Sequence, residues 1–154
     1  MQDAKVAIVG DRNYSNYDFF KRIIDTYKRK FGISFIISGG ATGVDSMAER
    51  YAKENEISFT VFVAEWSQYG KSAGPRRNLK IAEVCDVMIA FLKEGSKGTA
   101  NSISLAKRLN KPVLIINIWN YFVYLDFMIL SMNILELNYI GIVLNVKEIG
   151  LWLK

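Results

Sequence analysis

Short apolar runs alternate along this chain with longer stretches of helical spacing, and that alternation predicts a βαβα succession. Lys5 to Val9, reading KVAIV, is a buried strand that stops at the turn Gly10-Asp11-Arg12. Tyr17 to Phe31 carries Phe19, Phe20, Ile23, Ile24 and Tyr27 on one helical face. Ile33 to Ile37 is the second strand, Gly43 to Glu54 the second helix with Val44, Met47, Ala48, Tyr51 and Ala52 to one side, and Ser58 to Val63 the third strand. A helix beginning near Arg76 runs through Leu79, Ile81, Ala82 and Val84 to Cys85, followed by a strand at Val87 to Phe91, a helix at Thr99 to Leu109 and a fifth strand at Val113 to Ile116.

Such a succession implies an α/β fold, a mostly parallel sheet of at least five strands with helices on both faces and right-handed crossovers. The loops that follow strands then gather at the carboxyl ends, where open α/β sheets bind ligands. Ser38-Gly39-Gly40-Ala41-Thr42-Gly43-Val44-Asp45 is the leading candidate, since it joins a strand to a helix start. Glycines let backbone approach a ligand closely, and free N–H groups at a helix start favour an anion. Gly10 and Arg12 follow the first strand, and a guanidinium there suits phosphate or is simply solvated. Asp45 either completes a reciprocal capping pattern with Thr42 or accepts hydrogen bonds from a ribose. Glu65 and Trp66 follow the third strand, where Trp66 either stacks on a base or packs. Arg76, Arg77 and Asn78 open a helix after Gly74-Pro75, as anion readers or as exposed charge at a helix start. Gly95, Gly98 and Thr99 form a second Gly-bearing loop, with a hydroxyl placed to cap the helix or touch phosphate.

Composition narrows the chemistry. The chain has 154 residues, 51% hydrophobic, which suits one domain with a substantial core. Its net charge of +5 comes from 20 Lys and Arg that are scattered and not run together, so nucleic acid is not expected as a partner. There is no histidine and one cysteine, Cys85, read as a buried thiol. No metal site and no cofactor are expected from that inventory, and acid–base work would fall to carboxylates such as Glu65 or Asp45. Asp3 and Lys5 precede the first strand in place of a secretory pattern, so a cytoplasmic protein is expected. Pro112 to Leu125 and Phe127 to Leu135 are largely apolar, but Asp126 between them would cost roughly 2.5–3.5 kcal/mol at the centre of a span, and a membrane partner is not expected either.

The segments Gly10 to Ser15, Ser38 to Asp45, Ala64-Glu65-Trp66, Tyr69 to Asn78 and Gly95 to Thr99 resemble, in order and spacing, the YspA-like branch of the SLOG superfamily, over roughly residues 4 to 116. That superfamily takes its name from the Smf/DprA DNA-processing proteins and the LOG phosphoribohydrolases. The resemblance implies a Rossmann-like three-layer fold over 1–116 and a pocket for a nucleotide-derived ligand, such as a nucleoside phosphate or an ADP-ribose-like signal, often in proteins of bacterial conflict or signalling. A sensor or sequestering protein is the leading expectation. A LOG-like phosphoribohydrolase or N-glycosidase is the alternative, although no carboxylate follows Thr99 where that mechanism places its Glu. Single-stranded DNA binding comes third. Residues 117–154 form an apolar extension expected to pack on the domain or to make a homo-oligomer interface.

Overall fold

A computed structural model describes residues 4–118. The expected extension of residues 117–154 lies, beyond Ile118, outside the described residues, and so does the oligomer interface expected there. The described part contains β1 (Ala4–Gly10), α1 (Tyr17–Phe31), β2 (Ile33–Ser38), α2 (Val44–Glu54), β3 (Ser58–Val61), a four-residue α3 (Trp66–Tyr69), a 3₁₀ turn at Gly70–Ser72, α4 (Ala73–Val84), β4 (Val87–Leu92), α5 (Lys97–Arg108) and β5 (Val113–Asn117).

Among the described residues every strand pairing is parallel and the strand order is β3-β2-β1-β4-β5, so β1 is central there. This is the Rossmann-like α/β arrangement that the alternation predicted. Successive residues of β1 point to opposite faces, as a pleated strand requires. Val6 and Ile8 meet Phe20, Ile24, Ala48 and Tyr51 of α1 and α2, whereas Ala7 and Val9 meet Ile81, Ala82, Ile103 and Ala106 of α4 and α5. Helices therefore cover both faces, in two cores separated by the sheet. Cys85 is in the second core, where burial pushes its thiol up to about 11. No helix among the described residues is long and apolar enough to cross a membrane.

Most boundaries differ from the sequence reading by one or two residues, α5 for instance starting at Lys97 and not Thr99, and two of the differences bear on the site. β3 ends at Val61, whose pairing with Ser38 is closed by the Phe62 N–H donating to the Ser38 carbonyl, 2.9 Å, and the pairing with β2 goes no further. α4 begins at Ala73, three residues before Arg76. Pro75 lies inside the first turn, where a missing N–H deprives the helix of no bond.

Candidate functional site

At the middle of the sheet, β1 leads into α1 on one face and β4 into α5 on the other, so their loops diverge and leave a crevice at the strands' carboxyl ends. The crevice measures about 370 Å³. Val9 and Gly10 form its floor, and Asp11 to Asn13 one side. Gly39, Ala41 and Asp45 face Arg77, Asn78 and Ile81 of α4, while Gly95 to Thr99 and Ser102 close it. A Cβ at Gly10 would stand 2.6 Å from Val44 Cγ2 and 2.8 Å from the Phe91 carbonyl, so only glycine lets β1 end this close to α2 and β4.

The turn from β2 to α2 is held by its own side chains. The buried Ser38 hydroxyl donates to Glu49 Oε1 at 3.0 Å and accepts from the Gly40 N–H at 3.1 Å. Gly43 has φ +72°, and a Cβ there would stand 2.5 Å from the Arg12 carbonyl carbon. Thr42 Oγ1 donates to the Arg12 carbonyl, 2.9 Å. It is thereby engaged elsewhere, and the N-cap is Gly43 without a side-chain bond, so the reciprocal capping pattern does not form. Asp45 Oδ2 instead accepts from the Ala41 N–H at 3.1 Å.

Asp45 is 5% exposed, and burial pushes its carboxyl up to about 6. The Ala41 N–H and the Arg77 guanidinium pull it down, Glu49 pushes it further up, and burial outweighs them. Arg77 spans the crevice. Its Nη1 donates to the Gly39 carbonyl and its Nε to Asn78 Oδ1, the latter at 2.9 Å. Burial lowers the Arg77 pKa from its usual value, opposed by Asp45 and reinforced by Arg12.

On the other side Asn78 Nδ2 donates to Asn101 Oδ1, 3.0 Å, and to the Gly98 carbonyl, 3.4 Å, pinning α4 to the start of α5. Thr99 Oγ1 and Ser96 Oγ are 2.8 Å apart. The first-turn N–H groups of α5 have no partner within the helix and carry the positive end of its dipole. α1 and α2 hold an acid in the first turn, Asp18 and Asp45, whereas α5 has none and begins with Lys97. A lysine there opposes the dipole unless an anion stands between them.

Gly10, Arg12, Gly39, Asp45, Arg77, Asn78, Gly95, Gly98 and Thr99 are thus brought to one crevice. Ser38, Gly40, Glu65, Trp66 and Arg76 are not among its lining. Ser38 is fully buried beneath the turn. Glu65 and Trp66 follow β3, an edge strand two positions from β1 and so roughly 10 Å away at normal strand spacing. Glu65 is exposed and Trp66 is 57% exposed. Arg76 turns outward, its guanidinium 4.5 Å from the centre of the Tyr69 ring. Asp11, Asn13, Ala41, Ser96, Lys97 and Ser102 line the crevice and were not singled out from sequence. Lys97, inside the Gly-bearing loop, was the one that a charge count at helix starts would have found.

Residues 4–69 match the model of a family described as "YspA, cpYpsA-related SLOG family". The Gene 61 protein of Mycobacterium phage D29 is 29% identical over 96 residues, covering 58% of this chain and 76% of the phage protein. DNA processing protein A from Streptococcus pneumoniae superposes with a TM-score of 0.62 at 21% identity, covering 80% of this chain and 52% of that one. The Helicobacter pylori protein of the same name gives a TM-score of 0.56 at 22% identity, covering 72% of this chain and 64% of that one. The chain matches about half the length of the first and less than two thirds of the second. For the H. pylori protein a single-stranded DNA binding mode is described. This corrects the expectation that nucleic acid is not a partner. The expectation rested on scattered charge, but a scattered total conceals the few cations that share one crevice, Arg12, Arg77 and Lys97.

Proposed function

We propose that the chain, whose residues 4–69 match the model of the YspA, cpYpsA-related SLOG family, binds the phosphate of a nucleotide-derived ligand in the crevice. The observation that carries this reading is Gly98. Its backbone φ is ordinary for any residue, and apart from its chain neighbours and its own helix's backbone nothing of the protein lies within 4 Å of where its Cβ would be. Glycine in the first turn of α5 lowers helix propensity by up to about 1 kcal/mol relative to alanine, and no contact within the fold calls for it. Space for a ligand at the backbone does. A phosphate there would accept from the first-turn N–H groups of α5 and meet Lys97, with Arg12 and Arg77 neutralising further charge. Asp45 would accept from a ribose hydroxyl.

Retention of the intact ligand would make the protein a sensor or sequestering protein. Single-stranded DNA offers the same phosphate chemistry and is favoured as a second source by the DNA processing proteins that share the fold. Hydrolysis would draw on Asp45, whose carboxyl burial pushes up to about 6.

The test is to incubate the full chain with nucleoside monophosphates and ADP-ribose, filter it, denature what is retained, and identify both fractions by chromatography with mass detection. Intact ligand is expected from the denatured protein, and at least ten-fold less of it from Gly98→Ala. Equal retention by that variant would remove the phosphate from α5. Free base and sugar phosphate in the filtrate would favour hydrolysis. A labelled oligodeoxynucleotide bound more tightly than any mononucleotide, with affinity falling steeply in salt, would favour DNA.

A further inference from the structure

Val63 and Trp66 are the most exposed large apolar residues of the described part, 72% and 57%. They belong to the connection between β3 and α4, yet each abuts a residue next to the crevice. A Cβ at Gly40 would stand 3.9 Å from Val63 Cγ2, and the neighbouring Gly39 lines the crevice. A Cβ at Gly74 would stand 3.3 Å from Trp66 Cη2. Arg77, one helical turn along α4 from Gly74 and on the same side, lines the crevice too. Arg77 is itself bonded to the Gly39 carbonyl. The Arg77–Gly39 contact therefore ties together the two stretches against which Val63 and Trp66 rest, with the crevice's cations and helix N–H groups nearby and an open indole and isopropyl group just outside its lining.

We propose that Val63 and Trp66 form a shelf for the planar base of the ligand whose phosphate enters the crevice. The proposal rests on the phosphate reading above and adds the part of the ligand that would give it chemical identity. Trp66 is anchored by its benzo edge at Gly74 and leaves ring surface to solvent. An aromatic face of this kind accepts any of the bases, because stacking requires only a π-face. A ligand arranged this way crosses over Arg77, whose guanidinium lies between its charged and its apolar halves.

Calorimetric titration of the full chain with AMP and with ribose 5-phosphate separates the shelf from the crevice. AMP is expected to bind roughly ten-fold more tightly than ribose 5-phosphate. Trp66→Ala should bring AMP to the level of ribose 5-phosphate without changing the latter, Trp66→Phe should keep most of the advantage, and Val63→Ser should lose part of it. An AMP advantage that survives Trp66→Ala and Val63→Ser, or ribose 5-phosphate binding with no advantage for AMP in the unaltered chain, overturns the shelf and leaves the crevice standing. Binding of neither compound overturns both.

Discussion

The two glycine-bearing turns at the carboxyl ends of β2 and β4 look alike in sequence and differ in what fills the space above them. In the first, Gly39, Gly40 and Gly43 are each demanded by the protein. A side chain at Gly39 would overlap the Arg77 guanidinium, at Gly40 would stand 2.7 Å from Val61 Cγ1, and at Gly43 would enter the backbone of Arg12. In the second, nothing beyond the chain neighbours and the helix's own backbone lies within 4 Å of a side chain's first atom at Gly95 or Gly98, and of the two only Gly95, at φ +78°, has a backbone that calls for glycine. A glycine is thus informative about ligands when the fold gives no reason for it. The turn that looked most like a phosphate loop, Ser38 to Asp45, is occupied by its own carboxylate, while the plainer loop is open.

The largest effect expected from this contrast is on stability in the closed turn. Gly43→Ala combines positive φ with a backbone clash and should lower the unfolding free energy by about 3 kcal/mol, read from urea midpoints; an unchanged midpoint would erase the distinction between the turns. Asp45 comes next. Its folded carboxyl value of about 6 lies above the ordinary 3.8, so the folded state binds the proton more tightly. The stability this gives is complete below the ordinary value and is lost as pH rises through the folded one. Asp45→Asn removes that titration, so relative to the variant the unaltered chain should lose on the order of 2 kcal/mol between about pH 4 and pH 7.5. Parallel stability curves for the two proteins would contradict the burial assigned to this carboxyl.

Gly98→Ala should move stability the other way, raising it by up to about 1 kcal/mol while ligand retention falls, and a thermal melt beside the retention assay reads both. Loss of stability there would mean that the open turn is not open. The smallest effect belongs to Arg76→Ala. Its guanidinium lies over Tyr69 and away from the crevice, so stability should change by no more than about 0.5 kcal/mol, with AMP affinity unchanged; a ten-fold weaker titration would bring Arg76 into the site.

The fold was legible because each strand and helix shows its own period, and the alternation leaves little choice but a parallel sheet. Within the site, Gly10, Arg12, Arg77 and Thr99 were legible because each adjoins a strand end or helix start. Sequence alone groups Glu65 and Trp66 with them, because each follows a strand. β1 and β4 adjoin and share the crevice, whereas β3 is the edge of the described sheet and sets Glu65 and Trp66 beside the lining and not in it, because strand order is a long-range property that no local pattern carries. Thr42 and Asp45 fit a capping pattern locally, but the Arg12 carbonyl, thirty positions away, takes the hydroxyl. The helix start at Ala73 is not legible locally, because Gly74-Pro75 reads equally as a break or as a first turn.

The pairing of β1 with β4 has a kinetic side. Val6 pairs with Val87 across the sheet's middle, and the Lys5 N–H donates to Asp86 Oδ2 over a separation of 81 residues. β1 and β2, by contrast, are joined by a single helix and can pair early. Closing so long a loop is slow, since its entropy is lost before its contacts form. The seam that closes late is the one on which the crevice lies. A nascent chain therefore has no such crevice until α5 has been made, and a ligand that binds there holds together the two halves that were the slowest to meet.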